Sequence, residues 1–141
     1  MSSTAGAELA ALLLVAYEGA VNEVVAELAL AGHPGVTATL EFALVAINAG
    51  AQDASALGRA LGVTKQAASK TIGALEQLGY VTRVSDTSDA RRKHLEVTAH
   101  GEAMMTLGAA AFERIRQRWV DRVGIDAVTG AEAALRQLTD P

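Results

Sequence analysis

The sequence contains no cysteine. That excludes disulfides, thiolate metal ligands and a cysteine redox switch. Proline is almost as scarce, with only Pro34 and Pro141. Combined with abundant alanine, this favours helices, because an interior proline removes a backbone hydrogen bond and costs ~3 kcal/mol. No Lys or Arg precedes Arg59. A secretory signal needs a basic stretch ahead of its apolar core, so none is expected here. Residues 9–31 are strongly apolar, but Glu18, Asn22, Glu23 and Glu27 interrupt them. Unpaired carboxylates are costly in lipid, so this stretch is expected to be a buried amphipathic helix of a cytoplasmic protein, with no membrane partner.

Catalytic signatures are also missing. There is no nucleophile elbow, phosphate-binding loop or dinucleotide fingerprint, so no enzyme activity and no cofactor are expected. The three histidines, His33, His94 and His100, lie far apart in sequence without ligand spacing, and no metal site is expected from them. Glu23 and Glu27 are one helical turn apart, which a solvated stripe explains.

Half of the 141 residues are apolar, enough to bury a core, and the length fits one domain, 1–141. The net charge of −4 is distributed unevenly. Residues 1–54 carry −6, residues 55–94 carry +4 and residues 95–141 carry −2. A phosphate-binding surface requires local positive potential and not a basic total.

Apolar residues at helical spacing predict a first helix over 7–31, including Leu9, Leu12, Leu13, Ala16, Ala20, Val24 and Leu28. Gly32-His33-Pro34-Gly35 ends it. Thr37 or Thr39 caps a second helix that runs to Asn48-Ala49-Gly50, and Asp53 or Ser55 caps a short third one. Gly62-Val63 turns the chain into a fourth helix, capped by Thr64 and ended by Gly79. Residues 80–84 and 94–98 are rich in β-branched residues and read as two strands joined by a polar turn. A long helix over 99–122 ends at Gly124, and a last helix is capped by Asp126 or by Thr129 with Glu132. The order is helix, helix, helix-turn-helix, hairpin, long helix, short helix. The fold class is mainly α: a winged helix with a two-stranded wing.

The basic block coincides with the helix-turn-helix and the wing. On the fourth helix, Val63, Ala68, Ile72, Leu75 and Leu78 share one face, and Lys65, Gln66, Ser69, Lys70 and Gly73 share another. The second face is cationic and amide-bearing at its start and small further along. A helix entering the major groove needs that combination, although an ordinary solvated face has a similar composition. The helix start at Thr64 and Lys65 also suits a phosphate. The wing then carries Arg91, Arg92 and Lys93 together, a cluster that self-repels unless phosphates or a narrow minor groove compensate it. Asp89, two residues before Arg91, is expected to hold that guanidinium through a bidentate pair.

Four stretches together resemble the MarR family of bacterial regulators: Leu57 to Lys70, Leu75-Glu76-Gln77-Leu78-Gly79-Tyr80-Val81, Asp86-x-x-Asp89-x-Arg91-x-Lys93, and Val97-Thr98-x-x-Gly101. The resemblance implies a homodimer in which terminal helices, 7–35 and 99–138, form a dimerisation unit. Two lobes, each 37–98 with wing 80–98, would straddle double-stranded DNA at a pseudo-palindromic operator. It implies a repressor released by a small aromatic or phenolic effector. The DNA contacts map onto Thr64, Lys65, Gln66, Ser69, Lys70, Asp89, Arg91, Arg92 and Lys93. Tyr17, Phe42, Met104 and Trp119 are candidate effector contacts, although aromatics and methionine at helical spacing also serve as core. Two departures stand out: Ala90 sits where a second basic residue is common, and the first helix carries no basic residue. The alternative reading is a winged-helix protein-interaction module that does not use DNA.

Overall fold

Short oxygen-bearing side chains decide where the helices begin. In the computed structural model, which describes residues 4–140, Thr4, Thr37, Asp53, Thr64 and Thr98 each accept a hydrogen bond from the backbone N–H three residues on, at 2.7–3.2 Å. Each bond satisfies one first-turn donor that has no intrahelical partner. The helices they open are α1 (Ala5–Leu30), α2 (Ala38–Asn48), α3 (Ala54–Leu61), α4 (Lys65–Gln77) and α5 (Ala99–Val123). Thr37 and Asp53 thus win over Thr39 and Ser55.

The last helix, α6 (Ile125–Thr139), begins without a side-chain cap, contrary to both expected caps. Gly124, at φ +94°, ends α5 and opens α6 directly, leaving no extended residue between the helices where an acceptor could sit. Thr129 instead bonds back to the Ile125 carbonyl at 2.9 Å, and Glu132 pairs with Arg116 on α5 at 2.8 Å.

Between α4 and α5 lie β1 (Val81–Ser85) and β2 (Lys93–Val97), an antiparallel pair in the register Val81↔Val97 to Ser85↔Lys93. Each strand is displaced by one residue from its expected span. Tyr80 precedes the strand, its N–H bonded to the Leu75 carbonyl at 2.9 Å and its side chain fully buried in the core. The Leu95 N–H donates to the Gln52 carbonyl at 2.9 Å, tying the wing's base to the segment before α3.

The core fills the lobe made by α2, α3, α4 and the wing base, with Leu44, Ile47, Leu57, Ile72, Leu75 and Leu95 at its centre. The end of α1, through Val24 and Leu28, and α5, through Met104 and Ala111, close it from one side. α1 is less buried than its pattern suggested. Only Val21, Val24 and Leu28 are fully covered, while Leu9, Leu12, Leu14 and Val15 stand exposed where α1 runs past the lobe. By length and composition α1 is apolar enough to cross a membrane, yet its acidic side is tied to α5. Glu23 pairs with Arg118 at 2.9 Å and Glu27 with Arg114.

Candidate nucleic-acid interface

α4 divides its residues as its sequence period demands. Ala68, Ile72 and Leu75 are buried against the lobe, and Lys65, Gln66, Ser69, Lys70 and Gly73 face outward. Leu78 is half-buried, and Val63 differs from expectation: it lies in the turn ahead of α4 and is exposed. The close approach of α3 to the start of α4 depends on Gly58, since a Cβ there would lie 2.9 Å from the Val63 carbonyl oxygen. Gly62 completes the turn in the left-handed region, at φ +69°. Thr64 caps α4 through Ala67 at 3.0 Å. Other first-turn N–H groups have no carbonyl within the helix and so suit an anion.

The wing tip is built by its aspartates. Asp86 accepts from both the N–H and the hydroxyl of Ser88, at 3.1 and 3.0 Å, and the Asp86 N–H donates to the Arg92 carbonyl at 2.8 Å. The bonds from Ser88, aided by the nearby His94 and Arg92, hold the Asp86 carboxyl below its usual pKa. Asp89 accepts from the backbone N–H of Arg91 at 3.0 Å. This corrects the expected guanidinium pair: a carboxylate two residues back closes a local turn with the main chain more readily than it reaches the end of a long side chain. The Arg91, Arg92 and Lys93 side chains are therefore exposed, and none forms an ion pair among the described residues. Lys65 and Lys70 on α4 are likewise without an acidic partner there.

One ion pair joins the two cationic elements. Glu76 near the end of α4 receives two hydrogen bonds from Arg83 on β1, at 3.0 and 3.3 Å. The pair bridges the end of α4 to the first wing strand. Sequence reasoning missed it because a seven-residue spacing across a helix-to-strand junction has no periodic signature.

The four candidate effector residues do not converge. Met104 is fully buried in the core. Tyr17 and Phe42 stack at 6.4 Å, and Phe42 stacks on Phe112 at the same distance, forming a half-exposed aromatic row from α1 across α2 to α5. Trp119 instead lines a cavity of about 480 Å³ between α1, α5 and α6. Its walls are mainly apolar, from Ala16, Ala20, Phe112 and Ile115, and Arg116, Arg118 and Arg122 also contribute. Among the described residues no group of three or more acidic or histidine side chains is arranged to hold a metal.

Comparison with known proteins relates the lobe and the fold to solved regulators. Residues 42–92 match the MarR family model. No curated protein matches by sequence. Among solved structures, Streptococcus pneumoniae FabT in complex with DNA superimposes with a TM-score of 0.77 at 18% identity, covering 93% of this chain and 92% of that one. CouR from Rhodococcus jostii RHA1 bound to p-coumaroyl-CoA gives 0.73 at 19% identity, with 99% and 97% covered. The reduced form of MarR from E. coli gives 0.74 at 18%, with 99% of both chains covered. At such identities the structural likeness is one of fold. The match over 42–92 covers the core of the winged lobe, and the whole chain shares the winged-helix fold of these structures.

Proposed function

We propose that the chain is a sequence-specific DNA-binding transcription regulator, a repressor, that binds a pseudo-palindromic operator as a homodimer. The observation that carries this reading is the distribution of free cations. In a protein of net charge −4, Lys65, Lys70, Arg91, Arg92 and Lys93 lie on α4 and the wing and form no ion pair among the described residues. Gln66 and Ser69, exposed on the same face of α4, suit base edges, and Thr64 suits a phosphate at the helix start. Asp89 orders the wing loop from which Arg91 projects. The DNA complex of FabT supports the same use of the fold.

On this reading 37–98 is the DNA-binding lobe, with 7–35 and 99–138 as dimerisation helices. Exposed apolar residues on α1 and α6, including Leu12, Val15, Leu135 and Leu138, support a second copy packing there. A small aromatic effector, as CouR's p-coumaroyl-CoA suggests, releases the DNA. Tyr17, Phe42 and Trp119 are the side chains available to it.

Binding to the DNA flanking its own gene, followed across salt concentrations, tests the proposal. Log affinity falls linearly with log salt, with a slope of ~0.9 per phosphate neutralised. Half-sites lie about one helical turn apart, ~10 bp. Arg91→Ala lowers affinity about tenfold or more, on the order of 1–3 kcal/mol, and leaves the dimer intact. No complex at low salt would instead favour the protein-interaction reading, to which the acidic α1 points.

A further inference from the structure

Where the terminal helices meet the lobe, three rings from three separate elements pack together. His33 follows the end of α1, its N–H bonded to the Leu28 carbonyl at 2.8 Å. Tyr80 stands at the joint between α4 and β1, its N–H bonded to the Leu75 carbonyl at 2.9 Å. His100 lies in the first turn of α5. The His100 ring stacks on Tyr80 at 4.7 Å with only 8° between planes, and it lies 4.7 Å from the His33 ring. His33 Nδ1 and the Tyr80 hydroxyl are 2.8 Å apart, in hydrogen-bond contact, with both residues buried.

The backbone locks the same joint. The Thr98 N–H donates to the Tyr80 carbonyl at 3.0 Å, and the Thr98 hydroxyl donates to the Gly79 carbonyl at 2.6 Å. Gly101 leaves room for the Tyr80 carbonyl, which a Cβ at that position would overlap.

We propose that this His33–Tyr80–His100 cluster is a proton-sensitive joint that holds the winged lobe to the terminal helices while the buried His33 imidazole is neutral and loosens in acid. A neutral His33 ring satisfies the Tyr80 hydroxyl as donor or acceptor. A protonated ring is only a donor, is cut off from water, and gains no counter-charge. The acids on the surrounding elements are engaged elsewhere or form no pair with these rings. Glu27 on α1 pairs with Arg114, Glu76 on α4 pairs with Arg83, and Glu102 in the first turn of α5 makes no ion pair with either imidazole. Burial, then the neighbouring His100, lowers the His33 pKa in the closed joint. The sign follows: the open joint binds the proton more tightly, so closure is favoured above the ordinary histidine pKa, ~6.5, and is lost as pH falls.

The joint is tested on the free protein, so its failure is separable from failure of the DNA-binding reading, on which only its regulatory meaning rests. The probe is hydrogen exchange at the Thr98 amide in the full chain, corrected for intrinsic exchange. Below pH ~6.5 opening increases by up to about tenfold per pH unit, then levels off once the closed-state pKa is passed. His33→Gln, which keeps a polar contact but does not titrate, gives a flat profile. His100→Phe keeps the stacked ring, removes one neighbouring imidazole, and shows a smaller total increase. His94→Gln, in the wing, behaves as wild type. A flat wild-type profile, or an equal increase in His33→Gln, overturns the proposal.

Discussion

Glu41 is the residue least at ease in its surroundings. It sits in the first turn of α2, 4% exposed, with Oε2 buried and without a hydrogen-bond partner. Its other oxygen rests against Gly108 on α5, where any Cβ would collide with it. Burial pushes the carboxyl pKa up, so the neutral acid is the form the fold favours. The stability this contributes is fully present below the ordinary carboxyl pKa and is lost as pH rises through the raised one. Glu41→Met, similar in volume and without an orphaned oxygen, is therefore expected to stabilise the protein by about 1–3 kcal/mol at pH 8 and by less at pH 5. Gly108→Ala is expected to destabilise it by about 1–3 kcal/mol, because Glu41 must leave its seat. Urea denaturation at the two pH values measures both. An unchanged midpoint for Glu41→Met at pH 8 would remove the strain argument. Neither residue announced itself in the sequence. Glu41 reads there as one more acid among the six before Arg59, and nothing local reports that α5 will cover it.

At the level of elements, the sequence was most legible where local chemistry decides the outcome. Thr64 followed by an apolar face at Ala68, Ile72 and Leu75 specifies both the start and the rotation of α4, and the structure agrees. The wing was legible from its β-branched strands and polar turn to within one residue. What the sequence hid were relations between elements: the Glu76–Arg83 bridge, the Gln52–Leu95 bond and the aromatic row from Tyr17 to Phe112. Those depend on which surfaces meet, and no period of 2.0 or 3.6 residues encodes that. The α6 caps failed for a related reason, since Gly124 joins two helices without the extended residue a cap requires. The cap on α4 offers a direct test. Thr64→Ala should cost about 1 kcal/mol of stability, and Thr64→Ser should restore most of it. Thermal unfolding monitored by circular dichroism reads the cost. If Thr64 also meets a phosphate, Thr64→Ala weakens DNA binding beyond what its stability loss explains.

The whole molecule has two unlike halves, and their difference organises its proposed action. The lobe has a continuous core and a cationic outer face. The terminal helices are bridged by Glu23–Arg118, Glu27–Arg114 and Arg116–Glu132 and leave many apolar side chains uncovered. Exposed ion pairs contribute little stability, typically ~0–1 kcal/mol, so they orient the helices more than they hold them. The apolar surface is the larger unspent term. Leu12 and Val15 on α1 are each 68% exposed, and Leu138 on α6 is 58% exposed. Burying such a side chain fully is worth ~1.5–3 kcal/mol, so a two-fold interface that covers even a few of them in both copies has a sufficient driving force. Leu12→Glu with Val15→Glu is expected to convert a dimer to a monomer in sedimentation velocity while leaving the lobe's near-ultraviolet and far-ultraviolet spectra largely unchanged, because neither residue belongs to the lobe core. Operator affinity should then fall by orders of magnitude, since two lobes no longer engage one duplex as a unit. A monomeric wild type would defeat the dimer proposal outright. A double variant that stays dimeric would locate the interface elsewhere than on α1.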